Sequence, residues 1–152
     1  MNPSLADISS LADIVMIESR CFERPWNTSQ ISEELVHPDS VVFMAYESGR
    51  PAGYVMFRCE PDSNELMKIA VLPEFRKTGI ASVLYDEGEK IVLAKNSKDI
   101  FLEVEETNRG AIRLYSKKGF VEISRRKNYY LDKAAICMIK RITHGNQESG
   151  IS

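Results

Sequence analysis

Apolar residues recur at helical spacing near the start of the chain, at Leu5, Ile8, Leu11, Ile14, Val15 and Ile17. The pattern predicts a helix within residues 4–22 that ends near Arg20, with Ser9 or Ser10 as its cap. Pro25 restricts Arg24 to extended backbone, so residues 22–26 read as a loop, and Asn27 or Thr28 caps a second short helix through Leu35. The period then changes. Residues 41–46 and 53–59 are rich in β-branched and aromatic side chains and flank Glu47-Ser48-Gly49-Arg50-Pro51, which predicts a hairpin. A turn at Pro61-Asp62-Ser63-Asn64 leads to a third strand over 65–72.

Helical spacing returns at Ile80, Val83, Leu84, Ile91 and Val92, opposite Asp86, Glu87, Glu89 and Lys90, and predicts the main helix over 79–95. A strand over 100–104, a helix over 108–118 stopped by Gly119, a strand over 120–124 and a last apolar run over 134–139 complete the series. Strands that alternate with helices late in the chain predict an α/β (α+β) fold, with a mixed central sheet flanked by helices. One domain is expected over residues 1–142, followed by a polar, disordered tail over 143–152.

Composition narrows the function classes. With 152 residues, 43% hydrophobic and 28% charged, the chain has material for one core. Its formal net charge of -2 argues against an electrostatic footprint on nucleic acid. Cys21, Cys59 and Cys137 form no CxxC pair and have no histidine at ligand spacing, so reduced thiols and no metal centre are expected. Cys59 and Cys137, in strand patterns, read as small core residues, and His37 and His144 as surface residues. The N-terminus lacks a basic signal-peptide region, and no apolar run approaches the roughly 20 residues that span a bilayer. A cytoplasmic protein with no membrane partner is expected.

The candidate chemistry begins at residues 69–82, IAVLPEFRKTGIAS. An apolar run ends at Pro73, and the basic turn Arg76-Lys77-Thr78-Gly79 leads into the main helix. Such a unit points backbone N–H groups and a helix N-terminus at one spot, which suits a pyrophosphate. Downstream, Glu103 lies between Leu102 and Val104 and by alternation faces away from them.

Arg76-Lys77-Thr78-Gly79-Ile80-Ala81 resembles the R/Q-x-x-G-x-G/A loop of the GCN5-related N-acetyltransferase (GNAT) superfamily, with Ala81 in place of the commoner second glycine. LEVEETNRGAIRLYSKKGFVEISRRKNYY, residues 102–130, resembles more narrowly the protein N-terminal acetyltransferases of the bacterial ribosomal-protein-alanine and archaeal types. The resemblance implies the GNAT fold and acetyl-CoA as cofactor. It implies that Ile69, Ala70 and Val71 run along the pantetheine, with an amide near Ile69 or Ala70 for the oxyanion. Arg76, Lys77, Thr78, Gly79, Ile80, Ala81 and Ser82 would hold the pyrophosphate, and Asn108 would touch the cofactor while capping its helix.

By the same resemblance Glu103 is the general base, commonly through water, and Tyr115 the acid that protonates the departing thiolate. Phe22, Glu23, Pro25, Trp26, Tyr129 and Tyr130 flank the peptide entrance. Plainer readings stand beside these: a solvent-facing strand glutamate salt-bridged to a lysine, a tyrosine packed under its helix, and core aromatics at Phe22, Trp26 and one of Tyr129 and Tyr130. Lys117 and Lys118 read as a solvated helix end.

Protonation separates the acceptors. An α-amine with a pKa near 7.7 is roughly one-sixth neutral at pH 7, whereas a lysine near 10.4 is neutral in only about one molecule in 2,500. The expected function is protein N-α-acetylation by direct transfer, with protein or peptide N-termini as substrates; whether ribosomal proteins are among them stays open at this point. Two alternatives are acetylation of lysine or a small polyamine, and a non-catalytic module that senses acyl-CoA.

Overall fold

Seven strands form one sheet in the computed structural model, which describes residues 2–130 and 133–142, the side chains of 128–130 apart. The expected tail over 143–152 lies outside the described residues. Strand β1 (Ser4–Leu5) pairs with β2 (Ser40–Glu47), and β2, β3 (Arg50–Cys59) and β4 (Asn64–Val71) form an antiparallel meander. The sheet continues through β5 (Ile100–Glu105), β7 (Lys133–Lys140) and β6 (Val121–Tyr130), in the order β1-β2-β3-β4-β5-β7-β6. Only β4 and β5 are parallel neighbours, so the sheet is mixed, as expected.

Helices cover both faces. α1 (Leu11–Cys21) and α2 (Thr28–Val36) bury Ile14, Ile17 and Ile31 against Val42, Met44, Tyr54 and Met56. On the other face α3 (Ile80–Lys95) and α4 (Arg109–Lys117) pack Leu84, Tyr85, Val92 and Tyr115 with Val41, Phe43, Phe57, Leu102 and Phe120. Because β2 is buried on both sides, its core reads as the continuous run VVFMA rather than as an alternation. Among the described residues, no helix is long and apolar enough to cross a membrane.

Three boundaries differ from the sequence reading. Leu5 and Ile8 are not on the first helix: Leu5 belongs to β1, and Asp7 caps a short 3-10 turn over Ile8–Ser10 in a reciprocal box with Ser10, so α1 starts only at Leu11. The hairpin turn is tighter than the five residues expected. Ser48 and Gly49 both have positive φ, 51° and 79°, the two-residue geometry whose twist suits paired strands. Finally, β6 runs six residues past Ser124, because this edge strand carries exposed Arg125, Arg126 and Lys127, which hide a strand from a hydrophobic pattern.

Close packing of α3 on β3 depends on Gly88. A Cβ built there would stand 2.2 Å from Cε1 of the fully buried Phe57 ring. Gly88→Ala is expected to destabilise the fold by about 1–3 kcal/mol through overpacking, seen as a lower urea midpoint. An unchanged midpoint would show that α3 rides less tightly on the sheet than its geometry indicates.

The feature that creates the site lies in β4. Met56 pairs with Lys68 and Phe57 with Leu66, so Met67 is an extra residue on β4. Such a bulge bends its strand. The parallel ladder to β5 holds only Asn64↔Ile100 and Glu65↔Phe101, and beyond it β4 and β5 diverge around a wedge-shaped opening.

Candidate active site

The wedge leads into a cavity of about 650 Å³. Met67, Lys68 and Ile69 of β4 form one side, and Glu103, Val104 and Glu105 of β5 the other. Cys21, the loop from Phe22 through Glu23, Arg24 and Pro25 to Trp26, and Gln30 close one end; Asn108 and Tyr115 complete the lining. The cavity thus joins Glu103, Tyr115, Asn108, Ile69, Phe22, Glu23, Pro25 and Trp26, residues far apart in sequence. Ala70 and Val71 are nearly buried in the strand beside it, 6% and 8% exposed.

Glu103 faces the cavity because Leu102 and Val104 face the core. Its carboxylate is also ion-paired: Arg126 of β6 donates to it from Nε at 3.1 Å and Nη2 at 2.6 Å, and the Cys137 thiol donates at 3.5 Å. The surface ion pair weighed from sequence is therefore present, with an arginine in place of the lysine as partner, on the residue that lines the cavity. The Arg126 hydrogen bonds hold the Glu103 carboxyl below the usual carboxylate range, against a smaller opposing effect of burial. Removing that partner raises the carboxyl pKa. Arg126→Gln is expected to move the Glu103 midpoint upward toward the ordinary value of about 4.3, followed by carbon-detected NMR of the carboxyl. An unmoved midpoint would contradict the pairing.

Cys137 is half-exposed beside Glu103 and not a core residue; the register that pairs Glu103 with Cys137 across β5 and β7 brings it there. Cys59 is buried as expected, its thiol directed at the Val92 carbonyl.

Tyr115 is 7% exposed and packs its ring 5.9 Å from Phe120, so it is both a packed aromatic and a cavity residue. Burial pushes its phenol well above the ordinary tyrosine range, which keeps the proton in place at physiological pH. Asn108 caps α4, accepting from the Ala111 N–H at 3.2 Å, while lining the cavity.

The turn residues stand at the N-terminus of α3, outside the cavity lining. Gly79, with φ 87°, caps the helix without a side-chain acceptor, and Val83 donates the first bond to its carbonyl. The N–H groups of Ile80, Ala81 and Ser82 therefore point out of the helix end. Lys77 has φ 64°, and Thr78 Oγ1 donates to the Phe75 carbonyl at 2.5 Å, which closes the turn. Arg76 lies over the end of β4, with Nε donating to the Val71 carbonyl at 2.8 Å. Lys118 is not simply solvated: it bridges α4 to α3 through Ser82 Oγ at 2.6 Å and Asp86 at 2.8 Å.

One buried group behind the cavity wall left no mark on the apolar pattern. Glu18 of α1 is fully buried and binds the Lys68 ammonium, the Tyr54 hydroxyl and, at 2.8 Å, the Trp26 backbone N–H. Burial pulls the Lys68 ammonium below the ordinary lysine range, with Glu18 opposing, and pushes the Tyr54 phenol up. A signal existed in position alone, since Glu18 sits four residues after Ile14 on the buried stripe of α1. Tyr129 and Tyr130, expected at the peptide entrance, have their backbone in β6 and their side chains outside the described residues.

Residues 11–120 match the Acetyltransferase (GNAT) family. The chain is similar to an N-alpha-acetyltransferase of Sulfurisphaera tokodaii, 32% identical over 66% of this chain and 68% of the relative. It is similar to an N-alpha-acetyltransferase of Sulfolobus acidocaldarius, 30% identical over 84% of each. Among solved structures, the ribosomal-protein-S18-alanine N-acetyltransferase of Escherichia coli superposes with a TM-score of 0.88 over 99% of both chains at 24% identity, a likeness of fold.

Proposed function

The chain belongs to the acetyltransferase (GNAT) family, and from that premise we propose that it is a protein N-α-acetyltransferase that uses acetyl-CoA and transfers directly to an N-terminal amine. The observation that carries the reading is the meeting of Glu103, Tyr115 and the Phe22, Pro25 and Trp26 loop in one cavity where the sheet splits.

The residues fit the cofactor. Past Glu65, the β4 edge that faces β5 leaves its ladder and can pair with a pantetheine as another strand would, along Ile69, Ala70 and Val71. An amide at Ile69 or Ala70 is suited to the acetyl oxygen. The turn Lys77-Thr78-Gly79 and the free first-turn amides of Ile80, Ala81 and Ser82, with charge from Arg76, suit a pyrophosphate, and Asn108 offers a side chain from the cavity lining. When bound, acetyl-CoA supplies an activated thioester.

Glu103, ionised at neutral pH, takes a proton from the neutral acceptor amine as its nitrogen bonds to the acetyl carbon and the bond to sulfur breaks, directly or through one water. Tyr115, kept protonated by burial, gives one to the departing sulfur. Phe22, Glu23, Pro25 and Trp26 flank the peptide. The α-amine is favoured over lysine because a carboxylate base of low pKa suits an acceptor that is already partly neutral. The free cysteines fit a reducing, cytoplasmic setting.

A peptide library with randomised N-termini, incubated with protein and acetyl-CoA and read by mass spectrometry, tests the proposal. Acetylation on α-amines, including ribosomal-protein N-termini, is the expected result. Acetylation that survives blocking of the N-terminus would transfer the assignment to lysine.

A further inference from the structure

Lys68 stands on the acceptor side of the cavity in a setting that its sequence neighbours do not suggest. Its side chain is 14% exposed and its ion-pair partner, the Glu18 side chain, 1%. The ammonium lies 4.4 Å from the centroid of the Phe22 ring and 4.6 Å from that of Trp26. Glu18, in turn, accepts the Trp26 N–H at 2.8 Å. Phe22 and Trp26 bracket the exposed Glu23, Arg24 and Pro25, so both aromatic ends of the loop meet one charge.

Stability does not explain this arrangement. Moving an ammonium and a carboxylate out of water is expensive, and a buried pair at best breaks even with apolar side chains of similar volume. What the pair supplies is direction: Glu18 fixes the ammonium, and the ammonium attracts the faces of two rings that are only partly buried at the rim of the α1 and α2 core. Lys68 is adjacent to Ile69 and to the bulged Met67, on the strand that would carry the cofactor.

We propose that Lys68 is a positioning residue for the acceptor: held by Glu18 against Phe22 and Trp26, it ties the peptide-receiving loop to β4 and keeps the two at a constant separation. The inference rests on the N-α-acetyltransferase reading and assigns to Lys68 the ordering of the wall that the peptide meets.

Trp26 is the single tryptophan of the chain, so its fluorescence reports this loop alone. Lys68→Met is expected to raise the peptide KM about tenfold, the scale of ordering two aromatic side chains on binding, and to leave acetyl-CoA affinity within about twofold. Acrylamide quenching of Trp26 increases in the same variant. Lys68→Arg, which keeps a cation able to pair with Glu18 and stack on rings, restores both the low KM and the protection of Trp26.

An unchanged peptide KM in Lys68→Met, or a rise matched by an equal loss of acetyl-CoA affinity, overturns the proposal. Should Lys68→Met fail to fold because Glu18 is left buried without its cation, the double variant Glu18→Gln, Lys68→Met removes that charge. A raised peptide KM in the double variant supports the tie, and a wild-type value overturns it. If the unaltered protein acetylates no peptide, the functional reading fails by itself. Trp26 quenching then decides separately: an increase in Lys68→Met supports the tie, and equal quenching overturns it.

Discussion

Tyr115→Phe is expected to lower kcat by about 10²–10⁴-fold while acetyl-CoA affinity stays nearly constant, since a positioned proton donor contributes on that scale to a transition state and little to ground-state binding. The substitution removes one oxygen and leaves the ring against Phe120, so the core around α4 is kept. The physical case is the match of two groups. A thiolate whose conjugate acid has a pKa of about 8.5 needs a donor that still holds its proton at neutral pH, and a phenol with an ordinary pKa near 10 already does so. Burial pushes Tyr115 further in that direction, which makes it a weaker acid but an almost fully protonated one. Single-turnover rates with saturating acetyl-CoA and peptide read the effect. Wild-type turnover in Tyr115→Phe would reduce this residue to a packed aromatic.

Glu103→Gln is expected to lower kcat/KM by about 10²–10⁴-fold, the range for loss of a general base. An amide oxygen can still accept from Arg126, so the strand geometry is preserved while the proton acceptor disappears. If Glu103 were only an ion-pair partner that happens to line a cavity, Glu103→Gln and Arg126→Gln would have equal and small effects on rate. If Glu103 is the base, Arg126→Gln retains the carboxylate and far more of the activity than Glu103→Gln does. Equal rates in the two variants would remove Glu103 from the chemistry.

Much of this site was legible in the sequence because it depends on period and on local chain chemistry. Alternation around Glu103 determines which way its carboxylate faces, and the buried Leu102 and Val104 agree. Asn108 caps its helix because asparagine satisfies a first-turn amide, and Gly79 stands where a positive φ is needed ahead of α3. Tertiary pairing was not legible. Met67 becomes an extra residue only in the register between β3 and β4, so the split that opens the cavity leaves no mark on the apolar pattern. Likewise Arg126 reaches Glu103 across β7, from an edge strand whose charges conceal its extended form. Glu18 and Lys68 are 50 residues apart and look like two surface charges until α1 folds over β4.

The proposed chemistry requires the split between β4 and β5 to bring a thioester between a carboxylate and a phenol. A crystal structure with a coenzyme A–peptide conjugate tests this requirement most directly. The pantetheine is expected along Ile69 to Val71, the coenzyme A sulfur within hydrogen-bond reach of the Tyr115 hydroxyl, and Glu103 near the former α-amine, directly or through one water. A conjugate bound elsewhere, or seated in the cavity with Glu103 and Tyr115 both remote from the junction, would contradict it.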